Sequence, residues 1–74
     1  MEPTQSLISR RVRGLLAEHQ VSGSELARRA GLSQSYVSRR VRGVVAWTIS
    51  DLELIAAELD IPLSAILPVE QKAA

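Results

Sequence analysis

Apolar residues recur along this chain at helical spacing, and no segment keeps the strict alternation of a half-buried strand. Ile8, Val12, Leu15 and Leu16, with His19 at the end of the stripe, predict a first helix over Thr4 to His19. Gly14 lies inside it. A second helix runs from the Ser22-Gly23-Ser24-Glu25 start through Leu26 and Ala27 to Ala30, and Gly31 ends it. Ser22 and Glu25 stand three apart, the spacing at which hydroxyl and carboxylate each satisfy the other's orphan backbone donor. Leu32 follows as the inward residue of a tight turn. Ser33 then caps a third helix, Gln34 to Arg42, with Val37 and Val41 on its inner face and Gly43 as its stop.

Val44 to Trp47 reads as a loop. Thr48-Ile49-Ser50-Asp51 is a second capping box, opening a helix with Leu52, Ile55, Ala56 and Leu59 on one stripe. Asp60 occupies the stop position where glycine is commoner. Pro62 starts a short fifth helix over Leu63 to Leu67, and Pro68 closes it. Residues 69–74 read as a frayed tail. The expected result is an all-α, compact five-helix domain spanning residues 1–74, with a helix-turn-helix over 22–43.

Composition narrows the core. The chain is 46% hydrophobic, with one Trp, one Tyr and no Phe, so Leu, Ile, Val and Ala must fill a single modest core. It has no cysteine, and therefore neither disulfide nor thiolate metal site. His19, the one histidine, has no companion ligands nearby and reads as a helix-end residue. No apolar run approaches membrane length and no secretory leader is visible, which gives the expectation of a cytoplasmic protein without a membrane partner. No nucleophile–base set, paired carboxylates or phosphate-cradling glycine loop appears. An enzyme is not expected, nor any cofactor or small-molecule substrate.

Charge adds what the net value of +1 hides. Residues 1–45 hold eight arginines against Glu2, Glu18 and Glu25, a net of +5; residues 46–74 hold Lys72 against five carboxylates, a net of −4. A basic half made wholly of arginine fits a polyanion, because the guanidinium fork matches phosphate oxygens and guanine edges. An asymmetric solvated surface would carry the same charges. The third helix sharpens the choice. Its outer face offers Gln34, Ser35, Ser38 and Arg39 over the first two turns, the part of a recognition helix that reaches base edges in the major groove. Gln pairs with adenine N6/N7 and Arg with guanine O6/N7.

Ser24-Glu25-Leu26-Ala27, then Gly31-Leu32-Ser33-Gln34-Ser35-Tyr36-Val37-Ser38-Arg39 and Gly43, resemble the Cro/cI-type (Xre-like) helix-turn-helix family of phage and bacterial repressors. Leu52 to Ile61 resembles that family's fourth helix, so the likeness covers about Thr4 to Leu67 and implies the lambda-repressor-like fold. It also implies base reading by Gln34, Ser35 and Arg39. Ser22, Gly23 and Ser24 would hold one phosphate at a helix N-terminus, and Arg42 with the Val44–Thr48 loop a second. Three positions depart from the family. Arg40 and Val41 stand where many members have Leu or Ile and then Glu, Leu16 replaces a late basic residue in the first helix, and the loop after Gly43 is apolar.

Other residues keep two readings. Tyr36 either donates to phosphate or packs on the second helix. Gly14 marks either close packing or the DNA side. Arg10, Arg11 and Arg13 either meet the DNA backbone or form a solvated face, with Arg13 the phosphate candidate. Arg28 and Arg29 suit the helix C-terminus, and Trp47 covers the fourth helix. The functional expectation is a regulator, of the repressor type, that binds a two-fold operator in double-stranded DNA as a homodimer through Ile61 to Val69, with Trp47 beside it. Its setting would be a bacterial nucleoid or a phage-infected host. Two other classes fit the same residues: an antitoxin-like, partner-binding protein, and an architectural or recombination-directionality factor.

Overall fold

In a computed structural model of the chain, residues 4–67 are described, and they contain helices and no strand. Helix α1 spans Thr4–Glu18, α2 Gly23–Ala30, α3 Gln34–Val41 and α4 Ile49–Leu59, and a 3-10 turn covers Leu63–Ala65. The all-α expectation holds, but with four α-helices rather than five. The segment after Pro62 is too short to repay α-helix nucleation, so it closes as one tighter turn, with the Ala65 amide bonded to the Pro62 carbonyl and the Ile66 amide to that of Leu63. Pro68 and the expected tail lie outside the described residues.

Each helix begins and ends for local reasons. The Ser22, Ser33 and Thr48 hydroxyls accept the amides of Glu25, Tyr36 and Asp51. Only Thr48 completes the reciprocal box, its amide donating to Asp51 at 3.0 Å. The box expected at Ser22 is half formed, because the Glu25 carboxylate turns to Arg28 and Arg29, at 2.9 and 3.0 Å. Helix α1 stops at Glu18, one residue short of expectation, and His19 is exposed rather than part of the stripe. Gln20 makes this stop in the left-handed region at φ 57, a role the sequence does not advertise. Asp60 does the same at α4, as its position implied.

The core is formed by Ile8, Val12 and Leu16 of α1, Leu26 and Ala27 of α2, Val37 of α3, and Leu52, Ile55, Ala56 and Leu59 of α4, closed by Val21, Trp47 and Ile66. Burying each large aliphatic chain stabilises the fold by about 1.5–3 kcal/mol. Helix α3 gives this core only Val37, while Val41 is half-buried. Polar contacts therefore do much of the work of seating it. Gln5, Ser9 and Arg13 stand four apart on α1, on one face. The Gln5 side-chain amide pairs with both backbone groups of Trp47, the Ser9 hydroxyl donates to the Arg40 carbonyl at 3.1 Å, and the Arg13 guanidinium donates to the Val41 carbonyl at 2.7 Å. The Arg13 bond satisfies a carbonyl that the end of α3 leaves open, the Ser9 bond adds a second donor to a carbonyl that already accepts the Gly43 amide, and Gln5 ties the loop after α3 to α1.

Candidate nucleic-acid interface

Helices α2 and α3 are joined by Gly31, Leu32 and Ser33. Gly31 sits at φ 73, and the Leu32 amide returns to the Ala27 carbonyl. The left-handed residue reverses the chain within one turn, and half-buried Leu32 packs the corner onto the core. Val37, wholly buried, fixes the inner side of α3, with its Cγ1 about 4.0 Å from where a side chain on Gly23 would begin. The opposite side is left to solvent. Gln34, Ser35, Ser38, Arg39 and Arg42 are all exposed there.

Ser22, Gly23, Ser24, Gln34, Ser38, Val41 and Arg42 line one concave pocket of about 230 Å³ between the start of α2 and α3. Across it the Gln34 side-chain amide donates to the Ser24 hydroxyl at 2.6 Å. Ser22 and Ser24 both accept hydrogen bonds through oxygen and keep their own O–H for a further acceptor. The positive end of α2 opens into the same space. The side chains of Arg39 and Arg42 have no partner among the described residues, whereas Arg28, Arg29 and Arg40 are paired with carboxylates. The free cations of the α2–α3 unit thus lie on the outward face of α3.

Three expected phosphate residues are placed elsewhere. The Tyr36 hydroxyl donates to Asp51 Oδ1 at 2.7 Å, so its proton is engaged within the fold, and the ring packs towards α4 rather than only on α2. Arg13 is committed through one nitrogen to Val41, and Thr48 uses its hydroxyl as the α4 cap. Neither shares the pocket. Trp47 is 4% exposed and belongs to the core.

The sequence reading missed a cluster beside this face. The Arg40 guanidinium lies over the Tyr36 ring, 3.5 Å from its centroid, donates to the Tyr36 carbonyl at 3.1 Å, and places Nε 3.4 Å from Asp51 Oδ2. Burial pushes the Asp51 carboxyl up. The amide and hydroxyl of Thr48, the Tyr36 hydroxyl and the Arg40 charge outweigh it and hold the group below its ordinary range. The same hydrogen bond to Asp51 is the main reason the Tyr36 phenol is pushed up. Asp51 accounted for as a capping residue concealed its second role. The available signal was an arginine at an otherwise apolar helical position, four residues after a tyrosine.

The helix-turn-helix model of the HTH_3 family matches residues 12–66, more than half of the chain. The chain belongs to the HTH_3 helix-turn-helix family. The HTH_3 domain is similar to a solved structure described as a hypothetical transcription factor, NHTF, from Neisseria. That likeness has a TM-score of 0.80 and 28% identity, over 88% of this chain and 75% of the other. It is also similar to an HTH_3 family transcriptional regulator from Vibrio cholerae, with a TM-score of 0.78 and 27% identity over 85% of this chain. The HTH_3 domain spans 35% of the Vibrio protein. No curated protein matches. The fold is therefore the DNA-binding helix-turn-helix of transcription regulators. Among the described residues no helix is long and apolar enough to cross a membrane, and no group of side chains could hold a metal ion.

Proposed function

We propose that this chain is a sequence-specific regulator of transcription, a repressor of the phage or bacterial kind, that reads an operator in duplex DNA through the major groove. The observation that carries this reading is the solvent-facing side of α3, where Gln34, Ser35, Ser38 and Arg39 stand exposed above a single buried valine. Arg39 would read a guanine edge and Gln34 an adenine edge, the latter held in line by Ser24. Ser22, Gly23, Ser24 and Arg42 would take a phosphate in the pocket beside it. Tyr36 would act through the fold rather than on phosphate, its proton being engaged by Asp51, while Arg13 and Thr48, exposed and outside the pocket, keep donors that could meet the DNA backbone elsewhere.

One α3 offers few base contacts, which favours a homodimer on a two-fold operator with half-sites about one helical turn apart. The face first expected to mediate it, Ile61 to Val69 beside Trp47, is less suited. Ile66 and Trp47 are buried in the chain's own core, and Val69 lies outside the described residues. Among the described residues the large apolar side chains left exposed are Val44, Ile49 and Leu54, in the α3–α4 loop and on α4, and these fit the dimer contact better. The reading requires neither catalysis nor a cofactor, and its setting would be the bacterial nucleoid or an infected host.

Selection of bound duplexes from a random pool tests the whole reading. The expected outcome is a palindrome whose specific-to-random affinity ratio exceeds about 10³. Equal binding to all duplexes would turn the reading towards an architectural protein, and no binding at low salt would end it.

A further inference from the structure

Helix α3 is a short element whose rotation about its own axis is weakly set by apolar packing, since Val37 is its one fully buried residue. Such a helix can roll, and a roll would move every outward side chain together. Its two flanks are nevertheless tied to different neighbours. On one flank, Gln34 donates to Ser24 of α2. On the other, the Tyr36 hydroxyl donates to Asp51 of α4, and Arg40 stacks on that ring with its Nε 3.4 Å from the second carboxylate oxygen, an ion pair without a hydrogen bond. At about 100° per residue, Tyr36 and Arg40 share a flank, and it borders the strip that carries Ser35 and Arg39. Asp51 is itself 4% exposed and held at the N-terminus of α4 by its exchange of hydrogen bonds with Thr48.

We propose that Tyr36, Arg40 and Asp51 are positioning residues for DNA recognition: they bracket α3 against α4 and so set the direction in which Ser35 and Arg39 face the groove. The proposal deepens the DNA-reading function above and rests on it. The physical reason is preorganisation. A recognition helix free to roll must lose that freedom when it docks, and the loss falls on the specific complex, in which side chains must meet base edges, more than on loose attachment to phosphates. The cluster can do this because its members restrain one another. Asp51 receives a neutral donor and a cation on separate oxygens, and the cation is held flat on the donor's own ring, so displacing one group disturbs the others.

Two variants of the full chain test it. Tyr36→Phe removes one hydroxyl and keeps the ring, while Asp51→Asn keeps an acceptor for the Thr48 amide and removes the charge facing Arg40. Each is titrated with the duplex that the unaltered protein selects from a random pool and with a random duplex. Backbone 15N relaxation of residues 34–42 is measured without DNA, at a temperature where both variants are folded. The expected result is a roughly tenfold fall in the specific-to-random ratio, with binding to random duplex unchanged, and lower order parameters at Ser35 and Arg39. Variants that melt earlier yet keep both the ratio and the order parameters would show a purely structural cluster and overturn the proposal. If the unaltered protein prefers no duplex, the DNA-reading function fails. The proposal then fails with it, while the relaxation data still report whether the cluster holds α3.

Discussion

Single side chains here divide cleanly into those engaged by the fold and those left for a partner. Arginine shows it best. Arg13 donates to the end of α3, Arg28 and Arg29 converge on Glu25, and Arg40 faces Asp51, while the side chains of Arg39 and Arg42 have no partner among the described residues. Arg39→Ala is accordingly expected to weaken specific binding by about 1–3 kcal/mol and to relax preference at one base position; titration against a set of single-base operator variants checks this. Arg42→Ala is expected to weaken binding evenly across sequences and to lower the salt slope by about one. At Gln20, the left-handed backbone is strained for any residue with a Cβ. Gln20→Gly relieves that strain and is expected to raise stability by about 0.5–1 kcal/mol, visible as a higher midpoint in urea.

Elements carry different risks. Helix α4 has a full apolar stripe and a complete capping box, whereas α3 relies on Val37 and polar ties. Val37→Ala is expected to cost about 1–3 kcal/mol and to lower the melting temperature by several degrees, measured by circular dichroism. An unchanged melting temperature would mean that α3 is seated by its polar contacts alone. The junction of α3 and α4 is also where acid acts. The Asp51 carboxyl is held below its ordinary range when folded, so the unfolded chain binds the proton more readily. Its contribution to stability is complete above the ordinary aspartate range and is lost as the pH falls through the folded-state value. Asp51→Asn is expected to flatten that part of the acid limb in denaturation curves taken across acidic pH, and to leave the pH dependence near neutrality unaltered.

Along the chain, the basic half falls in α1 to α3 and the acidic half from α4 onward, so the helices that carry the candidate interface differ in sign from the one that follows. That polarity steers approach and disfavours binding through α4. Dimerisation is checked by sedimentation with and without operator: Ile49→Asp is expected to reduce two-site occupancy while leaving half-site affinity unchanged, because Ile49 is 56% exposed and outside the α2–α3 face. The sequence by itself determined where the four α-helices lie, though it also called for a fifth, together with the turn at Gly31, the Ser33 and Thr48 caps, the central core positions such as Val12, Leu26, Val37 and Leu52, and the exposed residues of α3. All of these are read from neighbours within about one helical turn, the range over which periodicity and capping act. Only the tertiary structure decided how the polar groups are shared. Gln5, Ser9 and Arg13 reach carbonyls more than twenty residues away, and Glu25 prefers two arginines to its own helix start. Asp51 serves a cap, a phenol and a guanidinium at once. Such choices depend on which helices meet and at what rotation, and local spacing does not contain that. The outward face of α3 was therefore legible as a set of residues, while the bracket that aims it came from packing.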